Sequence, residues 1–186
     1  MNVYDFDGTV YGGDSTVDFF FYALKRTPAL ARYIPRQAAG FVLYAMKKVD
    51  KTAMKEYFYS FLQGIDGEKL AEDFWDSHQH KIYFWYRQQQ EPEDVIISAS
   101  PEFLLRPICR RLAIRHLIAS EVDSRTGKYT GKNCRGQEKV ARMRREFGDV
   151  PICSFYSDSI SDLPLAKLAD NAFLVKKGNP TAWEIH

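Results

Sequence analysis

The sequence predicts an α/β fold: a parallel sheet with helices on both faces and a helical insertion after its first strand. Three observations predict it. Short apolar or β-branched runs alternate with helical patterns through the second half of the chain, the order that builds parallel sheets. Nothing between residues 14 and 88 reads as a strand, whereas apolar residues there recur at helical spacing. The first apolar run, Val3-Tyr4, ends in Asp5-Phe6-Asp7-Gly8-Thr9-Val10. Acids and glycine leaving a strand mark the carboxyl edge at which open α/β sheets bind ligands.

Residues 1–5 read as a buried strand, and Gly8, Gly12 and Gly13 as the loop that follows. Asp14-Ser15-Thr16 offers an N-cap to a helix through Val17-Asp18-Phe19-Phe20-Phe21-Tyr22. Pro28 and Pro35 punctuate the next stretch, and Phe41 to Met46 reads as a helix closed by Lys47-Lys48. Asp50 or Thr52 caps a helix through Tyr57, Phe58, Phe61 and Leu62, broken at Gly64 and Gly67. A further helix is expected from about Glu68 towards Tyr86. Gly12-Gly13 and Gln88-Gln89-Gln90-Glu91-Pro92 read as hinge-like joints at the two ends of this insertion.

The pattern changes at Pro92. Val95-Ile96-Ile97-Ser98 is a strand, and Ser100-Pro101 opens a helix with Pro101 at its first position. Leu117-Ile118-Ala119 is a short strand, and Glu121 to Thr130 suggests a hairpin around Thr126-Gly127-Lys128. A helix from Gly136 to Phe147, a strand Ile152 to Tyr156, a short helix from Asp162 and a last strand Ala172 to Val175 complete the chain.

The 186 residues suffice for one domain with an insertion, and the balance of 45% hydrophobic and 27% charged residues is that of a globular protein. A net charge of +2 argues against nucleic acid as a partner. Cys109, Cys134 and Cys153 lack zinc-ligand spacing and read as reduced thiols, which points to the cytoplasm. No signal-peptide pattern opens the chain, and no uncharged apolar run approaches the roughly 18 residues of a membrane span.

Asp5/Asp7, Ser98, Lys139 and Asp158/Asp162 all fall at strand ends or helix starts of one sheet. These residue types suit phosphoryl transfer. One carboxylate attacks phosphorus and the other moves protons, while a lysine and a hydroxyl hold the phosphoryl oxygens. Carboxylates packed together need a cation, and Mg²⁺ takes oxygen ligands from one or two of them. Asp5, Asp158 and the backbone carbonyl of Asp7 are the expected ligands, with Asp162 behind them orienting a water or Lys139. Each residue alone has a plainer role. Lys139 fits a solvated helix face beside Arg142, Arg144 and Arg145. Ser98 fits a strand-end cap, Asp162 a helix cap, and Phe19 to Tyr22 a helix core.

Four stretches resemble, in order, the four motifs of the haloacid dehalogenase superfamily: Asp5 to Val10, Val95 to Ser98, Gly136-Gln137-Glu138-Lys139, and Tyr156 to Asp162. They are similar to the phosphoserine phosphatase branch, whose helical cap lies between the first two motifs. Ser98-Ala99-Ser100-Pro101, Cys134 to Lys139 and Tyr156 to Ser159 also resemble bacterial phosphatidylglycerophosphatase C relatives. Ser157 departs from the glycine usual at its position. The resemblance implies a Rossmann-like core (residues 1–13 and 89–186) and a helical cap (14–88). It implies Asp5 as nucleophile, Asp7 as general acid/base, Ser98, Ala99 and Lys139 as phosphate binders, and Mg²⁺ held by Asp5, Asp7 and Asp158. Asp14 matches an acidic substrate-binding position of that branch and serves equally as an N-cap with Ser15. The acid at Asp7 separates phosphatases from dehalogenases of the superfamily, which as a rule lack it.

The expected activity is Mg²⁺-dependent hydrolysis of a small phosphomonoester. Transfer to another alcohol, a binding module on the same fold, and a lipid-phosphate phosphatase touching the membrane surface through the aromatic cap are the alternatives. The cap carries no readable motif for the substrate.

Overall fold

The structure is a computed structural model and describes residues 1–185. A six-stranded sheet runs in the order β3-β2-β1-β4-β5-β6. Its strands are β1 (Asn2–Tyr4), β2 (Val95–Pro101), β3 (His116–Ser120), β4 (Ile152–Ser157), β5 (Ala169–Lys176) and β6 (Asn179–Ala182). All pair in parallel except β6, which pairs antiparallel to β5. The strand order reverses between β1 and β4, so the crevice of this sheet opens where β1 ends, at Asp5.

Successive strand residues point to opposite faces, and the sheet sorts its core accordingly. Val3, Val95, Ile97 and Phe155 pack with Val140, Met143 and Leu165 on one face. Tyr4 and Ile96 join Phe6, Phe19, Phe74, Trp75 and Leu104 on the other.

The helices are α1 (Ser15–Arg26), α2 (Ile34–Ala45), α3 (Lys51–Phe58), α4 (Gly67–His78), α5 (Phe84–Gln89), α6 (Glu102–Arg111), α7 (Gln137–Phe147) and α8 (Leu163–Ala166). Asp14 Oδ1 caps α1 by accepting from the Thr16 and Val17 amides, and Asp50 Oδ1 caps α3 from Ala53. Phe19 and Phe20 are core residues, as a helical stripe implies, while Phe21 is exposed.

Several elements differ from expectation. The helix from Glu68 to Tyr86 is two: α4 stops at His78, Gln79–Lys81 makes a 3₁₀ turn, and Ile82-Tyr83 is extended before α5. The β-branched Ile82 forms a bridge to Tyr11, and tertiary pairing overrides helical spacing there. Phe61 and Leu62 lie in a 3₁₀ turn after α3 rather than in the helix. Strand β2 continues through Pro101, and α6 starts at Glu102, because the Ser100 hydroxyl is engaged elsewhere than in capping. The 121–130 hairpin is a single bridge, Val122 to Tyr129. Strand β6 carries no strand signal in the sequence, since Asn-Pro-Thr-Ala has no apolar alternation.

The insertion is less separate from the core than its sequence suggests. Trp75 of α4 packs edge-on against Phe6 and Tyr11, and its Nε1 donates to the Leu104 carbonyl of α6 at 2.6 Å. Helix α5 lies on the sheet through Tyr86 against Tyr4 and Trp85 against Tyr156. The chain therefore returns to the core near Ile82-Tyr83, before the polar Gln88–Pro92 stretch. Both crossings are stitched together: Gly12 N donates to Lys81 O at 2.8 Å, and Tyr83 N to Val10 O at 2.9 Å.

Candidate active site

Asp5 leaves β1 with its amide bonded to Tyr156 O at 2.9 Å. The next residues fold into a tight loop around the Phe6 carbonyl, which accepts from the Val10 and Tyr11 amides at 2.9 Å each. Phe6 is fully buried and pins this loop to the core. Gly8 has φ +72°, and a Cβ there would sit 2.1 Å from Asp158 Oδ2. Only glycine permits both the backbone and the close approach of the two acidic loops.

The two acids of the loop have different surroundings. Asp5 accepts from Lys139 Nζ at 2.8 Å. Asp7 accepts from the Ser15 amide at 2.6 Å and from the Ser100 hydroxyl, which is also 3.1 Å from Thr16 Oγ1. The Asp7 side chain is thus held away from Lys139 by the start of α1 and the end of β2.

Lys139, on α7, is buried and also donates to Asp162 Oδ2 at 2.6 Å. Asp162 accepts a second bond, from Ser157 Oγ at 2.8 Å, and makes no side-chain cap to α8. Its carboxylate orients Lys139. The hydroxyl of Ser157, where glycine is usual, fits because it ties Asp162 to β4 and accepts from the Ser159 amide. Ser98 is buried in the middle of β2; its Oγ accepts from the Ser100 amide at 3.0 Å, which leaves its own proton to donate. The Ala99 carbonyl accepts from Lys55 Nζ at 2.8 Å and from Ser120 Oγ at 3.1 Å.

Asp5, Asp7, Ser98, Ala99, Lys139 and Asp162, with Asp14 and Asp158, line one open cavity of about 540 Å³. Sequence reasoning missed Lys51, Lys55, Ser100 and Arg135, which line it too. The signal for the lysines was their i, i+4 spacing on α3, which puts both on one face. The insertion also gives the cavity apolar lining: Val17, Phe41, Met54 and Phe58.

Burial pushes the Asp5 carboxyl up to about 7 against the pull of Lys139. Burial, then Asp14, pushes Asp7 up to about 6. Asp158 is raised by partial burial and by Asp162. Burial lowers Lys55 to about 8. One lysine does not neutralise this many carboxyls, so the cluster favours a cation. Among the described residues no three His, Cys, Asp or Glu side chains gather as a ready metal site. The oxygens available to a cation in the cavity are the carboxylates of Asp5 and Asp158 and the Asp7 carbonyl, on which no backbone hydrogen bond ends among the described residues. That set fits Mg²⁺, which keeps several waters and takes few carboxylates. The Asp7 carboxylate, engaged by Ser15 and Ser100, is not part of it.

A profile described as haloacid dehalogenase-like hydrolase matches residues 3–167. Protein CicA of Caulobacter vibrioides is 30% identical over 203 aligned residues, 95% of this chain and 86% of that one. A histidinol-phosphatase of Neisseria meningitidis is 25% identical over 98% of this chain and 91% of its own length. The phosphoserine phosphatase SerB1 of Mycobacterium tuberculosis is 27% identical over 96% and 64%. A Bordetella pertussis protein of unknown function shares the fold, with TM-score 0.71 and 22% identity over 92% of this chain and 87% of that one. The chain belongs to the haloacid dehalogenase-like hydrolase family. Within it, this is an enzyme of the phosphatase type, similar to phosphoserine phosphatases.

Proposed function

We propose that this phosphatase is a Mg²⁺-dependent phosphomonoester hydrolase that acts through an aspartyl-phosphate on Asp5. The observation that carries the reading is the contrast between Asp5, paired with Lys139, and Asp7, held by Ser15 and Ser100. Two carboxyls in different environments take different roles. Asp5 attacks phosphorus, the bond to the ester oxygen breaks, and Asp7 gives that oxygen its proton. Asp7 then takes a proton from water, the water oxygen attacks phosphorus, and phosphate leaves as the Asp5 carboxylate returns. A value near 6 suits Asp7 to both halves at neutral pH. Lys139 and Ser98, with the backbone at Ala99, hold the phosphoryl oxygens. Bound Mg²⁺ supplies positive charge to those oxygens, with Asp5, Asp158 and the Asp7 carbonyl as its protein ligands.

The substrate in this reading is a small phosphorylated metabolite with a second anionic group, for which Lys51, Lys55 and Arg135 line the cavity. Asp14 lines the same cavity while capping α1, so a direct substrate contact and a cap are compatible. The apolar wall of Val17, Phe41, Met54 and Phe58 favours a lipid phosphate as the second reading. The three unpaired thiols support a cytoplasmic setting. Phosphate release measured over sugar, amino-acid, nucleotide and lipid phosphates, with Asp5→Asn as control, tests the reading. Release that persists in Asp5→Asn overturns the covalent step. Dependence of the rate on an added alcohol, with a phosphorylated alcohol as product, assigns transfer instead of hydrolysis.

A further inference from the structure

From Phe19 to Val49 the chain has no acidic residue, yet it carries Lys25, Arg26, Arg32, Arg36, Lys47 and Lys48. The whole chain has a net charge of only +2, so the remainder is net negative and the positive charge is concentrated here. Of the six, only Arg26 has an acidic partner among the described residues, Asp73 at 3.6 Å.

Helix α2 runs through the middle of this stretch. It turns Gln37 and Gly40 inward, where Gln37 Nε2 donates to the Phe58 carbonyl and Gly40 meets Tyr57 of α3. The outward stripe at i, i+4, i+7, i+8 is Ile34, Ala38, Phe41 and Val42, continued by Ala45 and Met46. Ile34 is 43% exposed, Phe41 50%, and Val42 and Met46 56% each. A surface helix normally puts its polar side outward. Here the outward side is apolar, with basic residues at its ends.

We propose that the outer face of α2 docks on an anionic lipid bilayer, with Lys25, Arg32, Lys47 and Lys48 against the headgroups. An apolar stripe flanked by lysine and arginine is the chemistry of helices that lie in the membrane interface. Charge selects this occupant: the five basic residues without an acidic partner among the described residues repel a second copy of the same surface. No helix of the described residues is long and apolar enough to cross a membrane, so the contact is peripheral. Phe41 lies on both the stripe and the cavity wall, beside Lys51, Met54 and Phe58. Docking therefore turns the mouth of the cavity towards the bilayer surface. The surface itself does not depend on the chemistry at Asp5.

Sedimentation of the full chain with vesicles tests this. The chain should pellet with vesicles of phosphatidylcholine and phosphatidylglycerol, pellet far less with phosphatidylcholine alone, and be released by high salt. Val42→Asp with Met46→Asp, and separately Lys47→Glu with Lys48→Glu, should each lower partitioning by about tenfold or more. Circular dichroism melts check that both pairs are folded. If the first pair melts early, the second, on exposed side chains at the end of α2, decides. Wild-type chain left in the supernatant, or a folded lysine pair that partitions like wild type, overturns the proposal. So does a dimer in size-exclusion chromatography that Val42→Asp/Met46→Asp makes monomeric while vesicles bind nothing, which assigns the face to a second copy.

Discussion

Lys139 and Asp162 form a buried ion pair, Nζ to Oδ2 at 2.6 Å, and the same ammonium reaches Asp5 at 2.8 Å. One cation thus serves two carboxylates that sit on opposite sides of the strand-order reversal.

Lys139→Met should remove the only cation bonded to either carboxylate among the described residues. Uncompensated buried charge costs about 3–5 kcal/mol. Urea unfolding should show a loss of that order, and phosphate release should vanish. Unchanged unfolding would mean that the carboxylates find another partner.

Asp5 and Asp7 titrate near 7 and 6 instead of the ordinary 3.8. The folded state then holds more protons than the unfolded state across that window. The contribution of these groups is present below pH 3.8 and is lost as pH rises through 6 to 7. A bound cation reverses the sign, because it needs the ionised carboxylates. Mg²⁺ should raise the melting temperature more at pH 8 than at pH 5, read by calorimetry with EDTA as reference. Equal shifts at the two values would count against these ligands.

Activity should disappear in EDTA and return with Mg²⁺, whereas Ca²⁺ should inhibit, since its looser and larger coordination displaces the attacking oxygen. Phosphate release in metal-buffered assays measures both. Full activity in chelator would refute the metal.

Ser157→Ala deletes one of the two bonds that hold Asp162. The loss should be about 1 kcal/mol in stability, with kcat falling several-fold as Lys139 loosens. A steady-state comparison with wild type, paired with a melt, separates this from plain unfolding. Unaltered kcat would leave Ser157 a packing residue.

Gly12-Gly13 reads as a hinge in the sequence, but proline at these two positions does more than stiffen it. Gly12 N donates to Lys81 O, Gly13 N donates to Tyr11 O, and Gly13 has φ +131°, which proline does not adopt. Gly12→Pro/Gly13→Pro should therefore lower the melting temperature steeply rather than slow a moving lid. A well-folded double variant with reduced turnover would restore the hinge.

The candidate site was legible in the sequence because its chemistry is local: acids after a strand, a hydroxyl closing an apolar run, a lysine at a helix start. Asp5, Ser98, Lys139 and Asp162 line one cavity. What was not legible depends on partners far along the chain. Ile82 looks helical until Tyr11 pairs with it, and Trp75 looks like a cap residue until Leu104 accepts its proton. Ser100 looks like an N-cap until Asp7 takes its hydroxyl. Lys51 and Lys55 carry no motif, and only the way α3 packs brings them to the cavity.

The placement of β1 dictates when this enzyme comes into being. Val3 pairs with Val95 on one side and with Phe155 on the other. Asp5 is made well before the partners of its strand: β1 has no neighbour until β2 (Val95–Pro101) is made, and no second neighbour until β4 (Ile152–Ser157). Such long-range pairing is slow to form. Until β4 and the turn after it are made, the chain holds Asp5 without Asp158 or Asp162 beside it. A chain cut short before β4 should be silent, with its apolar first strand left for chaperones to shield.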